Sequence, residues 1–223
     1  MDTNITQLHA VTDAQIPAVH RTVSKREVGG DDARVVMLTQ TYPSAQAEVW
    51  NAITTQDRIS RWLGPISGDF RLGGRYQIEG NAGGEVLECA ESDRIHITWE
   101  FGGDVSWVTA TLTSGGENET TVEIEHVAHV SDEDWKMFGP SAVGIGWDSI
   151  LLGLTLHLGS GASLKPEEAA AWMESEDGIR FMTRSNDGWR EANIDAGESE
   201  ADATAAAARC LAAYMGVESG PDA

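Results

Sequence analysis

The sequence predicts an α+β protein in which a curved antiparallel sheet of six or seven strands wraps around one long helix. Two observations lead to this fold class. Between residues 75 and 130, segments of alternating polarity follow one another across short glycine-containing loops, which is typical of an antiparallel meander. An apolar segment at 141–158 then carries hydrophobic residues at helical spacing. Because neither apolar surface can stay in water, the helix is expected to cover the sheet.

The individual elements follow from local signals in chain order. Residues 1–33 are polar, and a Gly-Gly-Asp-Asp segment near their end indicates a linker or turn. A β-rich strand is predicted at 34–42, followed by two short helices at 44–53 and 54–63 that each begin at a serine or threonine able to act as an N-cap. The remaining predicted strands are 75–79, 85–90, 94–101, 105–113 and 120–130.

The chain after the long helix is predicted to be a helical extension. Helices are expected at 166–175 and 201–215, and the connection between them holds Phe181 and Trp189. The acidic segment 132–134 is expected to be a solvated loop. The predicted organisation is therefore an N-terminal extension (1–33), a body (34–160) and a C-terminal extension (161–223) that packs on the body or across a dimer interface.

Composition limits the classes of partner. The chain has 223 residues, with 36 acidic and 15 basic side chains and a net charge of −21. Such a surface repels phosphate backbones and anionic lipids, so nucleic acid and membranes are not expected partners. Solubility or adaptation to a salty cytoplasm explains the charge most simply, and a cationic partner is the alternative. Two cysteines and a start without a basic leader or apolar run indicate a cytoplasmic protein.

The space between the sheet and the helix is the predicted site, because the period-two pattern turns one face of each strand inward. Eight residues are predicted to line it or lie at its mouth: Tyr76, Trp99, Val108, Ala110, Ile124, His126, Trp147 and Leu151. His126 has the same parity as Ile124. We interpret it mainly as a hydrogen-bonded structural histidine, with a polar anchor or general base for a ligand as the alternative.

Other charged groups have less specific patterns. Arg61, Arg71 and Arg75 surround a glycine-rich turn near Glu79 and Glu88, which favours an ion-pair network, with an anion clamp as the alternative. The chain has neither a thiolate pair nor a His-Glu-x-x-His motif, so no metal and no cofactor are expected.

Several short motifs occur in an order that resembles the START-like (SRPBCC) superfamily, in particular the branch named after the C-terminal domain of the activator of the heat-shock-protein-90 ATPase. The motifs are Val49-Trp50 with Ala52-Ile53-Thr54, Arg61-Trp62, Gly68-Asp69 with Gly73-Gly74-Arg75-Tyr76, Ile97-Thr98-Trp99-Glu100, Glu125-His126 and Gly146-Trp147. The resemblance implies a helix-grip fold with an internal apolar cavity. It implies no single reaction, since the fold serves carriers, enzymes and chaperone partners.

Three functional hypotheses follow. The first, which we favour, is binding of a small hydrophobic or aromatic ligand in the cavity. The second is an enzyme of the same fold, performing cyclase-like or dehydratase-like acid–base chemistry with His126 as proton carrier. The third is a stress-related or chaperone-interacting protein, or a homodimer, whose surface and C-terminal helices serve a partner. A catalytic function would need a second titratable group beside His126, which the sequence does not identify.

Overall fold

Eight antiparallel strands form one curved sheet in the computed structural model, which describes residues 3–161, 163 and 165–217 and, for residues 3–10, the backbone only. The strands are β1 (His20–Val28), β2 (Asp31–Tyr42), β3 (Ile66–Gly68), β4 (Arg75–Ile78), β5 (Gly83–Ala90), β6 (Arg94–Phe101), β7 (Asp104–Gly116) and β8 (Glu119–Ala128). Their order across the sheet is β1-β2-β8-β7-β6-β5-β4-β3.

Eight helices surround this sheet in the described part of the chain. They are α1 (Thr3–Ala18), α2 (Gln46–Thr54), α3 (Gln56–Ile59), α4 (Asp132–Phe138), α5 (Ser141–Ser160), α6 (Pro166–Met173), α7 (Glu176–Asp195) and α8 (Glu200–Tyr214). One side of α5 packs on the sheet through Leu151 and Leu154. The other side packs through Leu152 and Leu156 against Phe181 of α7. Helix α5 therefore lies between two apolar cores.

The structure confirms the predicted helix-grip α+β fold. Strand β6 has the predicted bounds, and α5 extends two residues beyond the predicted 141–158. The sheet has two strands more than the six that the sequence analysis located. One of them, β3, contains three residues and lies so close to β4 that a side chain at Gly68 would collide with the Arg75 backbone. Gly68 also has φ +128, a conformation that glycine adopts without strain.

The N-terminal segment differs from the prediction of a polar extension. Helix α1 packs on α5 and α7, and β1 forms a hairpin with β2 across residues 29–30, both glycines with positive φ. Strand β1 was not predicted, because it lacks an alternating apolar pattern. It is an edge strand whose side chains are mostly polar and exposed. Of the two expected alternatives, a linker or a turn, residues 29–30 form a turn, that of a hairpin within the sheet.

Two further expectations were wrong in the C-terminal half. The connection predicted between the last two helices is the 20-residue helix α7, whose Phe181 and Trp189 are fully buried. The predicted acidic loop at 132–134 is the first turn of α4, where the Ser131 hydroxyl accepts a hydrogen bond from the Asp134 amide. Acidic side chains are favourable there, because they complement the positive end of the helix dipole.

Helix α5 is the one described helix that is long and apolar enough, by length and composition alone, to cross a membrane. In this fold it is the core helix, covered by the sheet on one side and by the C-terminal helices on the other. The division of the chain at residues 33 and 160 stays a prediction, and so does the cytoplasmic location.

Candidate functional site

An apolar cavity of about 120 Å³ lies between the sheet and α5. Seven of the eight residues predicted for the site are in its wall: Tyr76, Trp99, Val108, Ala110, Ile124, Trp147 and Leu151. The strand register explains why they meet. Ala110 pairs with Ile124 across β7 and β8, and Ile97 pairs with Val108 across β6 and β7, so alternate residues of adjacent strands face α5 together.

The other end of the wall comes from residues that the sequence analysis did not assign to the site. Ile53 and Ile59 come from α2 and α3, Trp62 and Leu63 from the turn after α3, and Phe70 from the loop before β4. The apolar residues at 59, 62 and 63 have helical spacing, which is the sequence signal that could have revealed them. Their contribution closes the cavity where the sheet does not reach.

Most polar atoms carried by the wall residues already have hydrogen-bond partners. Tyr76 Oη donates to Thr98 O at 2.7 Å, Trp62 Nε1 to Ala52 O at 3.1 Å and Trp147 Nε1 to the ring of His126 at 3.0 Å. Burial raises the pKa of Tyr76 above its ordinary value, so its hydroxyl stays protonated. These groups therefore have little capacity left to bind a polar ligand.

His126 points inward as predicted, but it is not among the residues in the wall of this cavity. Trp147, which is in the wall, contacts the His126 ring edge-on at a centroid distance of 5.7 Å. His126 Nδ1 accepts the hydrogen bond from Trp147 Nε1, and its Nε2 lies 2.8 Å from Ser106 Oγ. An indole can only donate, so Nδ1 is unprotonated and Nε2 carries the proton that goes to Ser106. Ser106 in turn donates to Trp99 O at 3.1 Å.

This chain of bonds makes His126 a neutral, fully engaged side chain. Burial lowers its pKa from 6.5 to about 4, since the charged ring would lose water without gaining a counter-charge. A general base needs a nitrogen with a free lone pair beside the substrate, and here the only lone pair accepts from Trp147. The arrangement suits orientation of Trp147 in the cavity wall.

A buried ion pair fixes the far side of α5. Asp148 has no exposed surface and accepts two hydrogen bonds from Arg21 of β1, at 2.7 and 3.0 Å. Ser185 and Trp189 of α7 donate to the same carboxylate. Sequence analysis did not single out this acid, although it is the only one in an otherwise apolar helix. The cluster joins the edge strand, α5 and α7.

The remaining charged candidates do not form a site. Arg71 pairs with Asp69 and Arg75 with Glu100, both on the surface, so the predicted partners Glu79 and Glu88 are not the ones used. Across the described residues, no group of three or more His, Cys, Asp or Glu side chains is arranged to hold a metal ion.

Comparison with known proteins agrees with the observed fold. A family model described as "Activator of Hsp90 ATPase homolog 1-like protein" matches residues 44–159, which is more than half of the chain. The chain belongs to this family. The predicted START-like resemblance is thereby confirmed. No curated protein matches this chain in sequence.

Solved structures extend the likeness beyond the matched residues. CalU16 from Micromonospora echinospora is 28% identical. Its crystal structure has a TM-score of 0.63, and the match covers 78% of this chain and 98% of the CalU16 chain. Its solution NMR structure has a TM-score of 0.68, and the match covers 81% of this chain and 97% of the CalU16 chain. EF2215 from Enterococcus faecalis, described as a conserved protein of unknown function, has a TM-score of 0.55 at 13% identity, covering 86% and 98%. The latter likeness shows the fold alone.

Proposed function

We propose that this family member binds a small, neutral hydrophobic or aromatic molecule in the cavity between the sheet and α5. The observation that carries the proposal is the composition of the wall, in which aliphatic and aromatic side chains predominate and the Tyr76, Trp62 and Trp147 polar atoms are engaged elsewhere. Transfer of apolar surface from water into such a space is favourable by about 25 cal/mol per Å².

The size of the cavity supports a ligand part of about one aromatic ring. An engineered apolar cavity of about 150 Å³ stays dry and binds benzene. The present cavity of about 120 Å³ is comparable. Trp99 and Trp147, whose ring centroids are 5.2 Å apart, provide aromatic surface in its wall.

Binding is better supported than acid–base catalysis. The proposed proton carrier, His126, is not in the wall of the cavity and has both ring nitrogens engaged. A cyclase-like or dehydratase-like function would need a titratable group in contact with the ligand. Tyr76 is the one wall residue with an ionisable side chain, and its hydroxyl is bound to Thr98 O.

Fluorobenzene, a neutral one-ring probe, provides the test by fluorine NMR and tryptophan fluorescence. We expect saturable binding to the wild type and loss of binding in Ala110→Trp, which fills the cavity. Thr113→Trp is the matched control, because residue 113 lies on the same strand but is exposed on the opposite face. Equal binding by wild type and Ala110→Trp would refute the proposal.

One observation supports the partner hypothesis as a second candidate. Phe138, Val143 and Tyr214 are each more than a third exposed. Phe138 of α4 and Val143 of α5 line one groove, and Tyr214 of α8 donates a hydrogen bond to Ala142 O in the same groove. We propose that this patch is a homodimer contact. Sedimentation equilibrium should then give a dimer mass for the wild type and a monomer mass for Phe138→Ser, whereas a monomeric wild type would contradict the proposal.

A further inference from the structure

A second apolar space lies on the outer side of α5, beneath α6. Its volume is about 170 Å³. Its walls are Leu152, Gly153 and Leu156 of α5 and Ala169, Trp172 and Met173 of α6. We call it the outer compartment. Helix α6 lies beyond residues 44–159, so this space is formed in part by the C-terminal segment outside the family match.

The outer compartment adjoins the cavity between the sheet and α5 where the turn at residues 62–63 meets α5. Trp62, Leu63 and Ile150 line both spaces, and all three are half-buried. The Trp62 carbonyl lies so close to Gly153 of α5 that a side chain at that position would collide with it, so backbone also contributes to the partition. Joining the two spaces would take a rotamer change of Leu63 or Ile150 beside this contact.

Two of the three shared residues, Trp62 and Leu63, also face a third space, which reaches solvent. Trp62 and Leu63 line it together with Pro65, Asn81 and Pro166, which are exposed. It has a volume of about 180 Å³. The turn at residues 62–63 is thus the common wall of the inner cavity, the outer compartment and an opening between α6 and the β4–β5 turn. A molecule entering there would pass these side chains first.

The outer compartment carries one unengaged polar group. Trp172 is buried, with 6% of its surface exposed, and its Nε1 has no hydrogen-bond partner among the described residues. The other polar side-chain atoms of this wall are engaged, because Ser149 Oγ donates to Ile145 O and Trp62 Nε1 donates to Ala52 O. A buried N–H without a partner is unfavourable. This N–H is itself covered, so a ligand oxygen can accept from it, and remove that penalty, only after neighbouring side chains move apart.

We propose that the outer compartment is a second subsite of the same ligand site, and that the ligand is an elongated neutral molecule. Its apolar ring occupies the inner cavity, and a carbonyl or ether oxygen accepts a hydrogen bond from Trp172 Nε1. This inference rests on the proposed function. Volume supports it, because pockets for drug-sized ligands have volumes of roughly 300–1,000 Å³. The inner cavity alone is well below this range, and the two spaces together come close to its lower end.

Three neutral probes separate the two compartments by isothermal titration calorimetry. Fluorobenzene is small enough to occupy the inner cavity by itself, chalcone adds a second ring and a carbonyl, and 1,3-diphenylpropene has the chalcone skeleton without the oxygen. Two variants address the outer compartment: Ala169→Phe fills it, and Trp172→Phe removes the N–H while keeping an aromatic ring. Ala170→Phe is the matched control for filling, because residue 170 is the exposed neighbour on the same helix.

In the wild type we expect chalcone to bind more tightly than fluorobenzene. Ala169→Phe should lower the ratio of chalcone to fluorobenzene affinity about tenfold or more, and Ala170→Phe should leave it unchanged. Trp172→Phe should weaken chalcone about threefold to tenfold, the effect of one hydrogen bond, and 1,3-diphenylpropene by less than twofold.

The inference is overturned if Ala169→Phe leaves that ratio unchanged, or if Trp172→Phe weakens the ketone and the hydrocarbon equally. Thermal unfolding followed by circular dichroism checks that each variant is folded, and Ala169→Leu replaces Ala169→Phe if the larger side chain prevents folding. Failure of fluorobenzene itself to bind would instead refute the proposed function. The two failures are therefore distinguishable.

Discussion

The pH dependence of stability tests the structural role assigned to His126. In the folded protein burial lowers the pKa of this histidine to about 4, whereas in the unfolded chain the value is 6.5. Below about pH 6.5 the unfolded chain therefore binds one proton more than the folded protein at this position. The stabilisation is complete above the unfolded pKa and is lost progressively as the pH falls towards the folded pKa.

The size of the effect follows from the two pKa values. Each pH unit within this window costs about 1.4 kcal/mol, so the whole window corresponds to roughly 3 kcal/mol. Between pH 7 and pH 5 the loss is about 2 kcal/mol, and most carboxylates are still ionised over that interval. His126→Gln offers an acceptor and a donor in similar positions but does not titrate. We expect it to cost about 1–3 kcal/mol at pH 7.

The assay is urea unfolding followed by far-ultraviolet circular dichroism, for wild type and His126→Gln in parallel. All other titrating groups are common to both proteins, so the difference between their free energies of unfolding isolates His126. That difference should shrink by about 2 kcal/mol from pH 7 to pH 5. Parallel curves for the two proteins would refute the assignment, because they would mean that the histidine titrates equally in the folded and unfolded states.

Three further predictions concern the packing of α5. Asp148→Asn should lower the free energy of unfolding by about 3–5 kcal/mol, because the buried guanidinium of Arg21 loses its counter-charge. Arg26→Gln, at an exposed ion pair, should lower it by no more than about 1 kcal/mol. Similar losses in the two variants would contradict this prediction. Gly144→Ala should destabilise the protein, since the new Cβ would overlap the buried indole of Trp189 in α7. Gly146→Ala on the same helix has room, so its stability should be unchanged or higher by up to about 1 kcal/mol. Thermal unfolding measures both variants. Removal of the chain after residue 161 should expose the second apolar core and abolish cooperative unfolding, and a truncated protein as stable as the full chain would disprove this.

The elements predictable from sequence are those with strong alternation or helical spacing on a buried face. Strand β6 is an example, because Ile95, Ile97 and Trp99 alternate with more polar residues and face the cavity. Inward orientation of Trp99, Val108, Ala110 and Ile124 followed from the same alternation, and that of Trp147 and Leu151 followed from helical spacing. Edge strand β1 is mostly polar, and its inner face carries Arg21 and Val23 with no regular apolar alternation, so it leaves no such signal.

Helix α7 shows a different reason for failure. Its apolar residues Phe181, Met182 and Trp189 have helical spacing, and Ser175 followed by two acidic residues is a capping signal. The helical spacing was not recognised, because many polar side chains and the glycines at 178 and 188 interrupt the apolar residues of this helix. The hydrogen bond between Trp147 and His126 could not be predicted at all, because strand parity gives the side of the sheet but not which side chain of the facing helix meets the histidine.

A crystal structure of the protein soaked with iodobenzene tests the central claim most directly, because iodine is located by its anomalous scattering. The claim is that the space between the sheet and α5 binds an apolar molecule. We predict an iodine site within van der Waals contact of Trp99, Ala110 and Leu151 in the wild type, and none there in Ala110→Trp. An empty cavity in wild-type crystals whose surface sites are occupied by iodobenzene would contradict it.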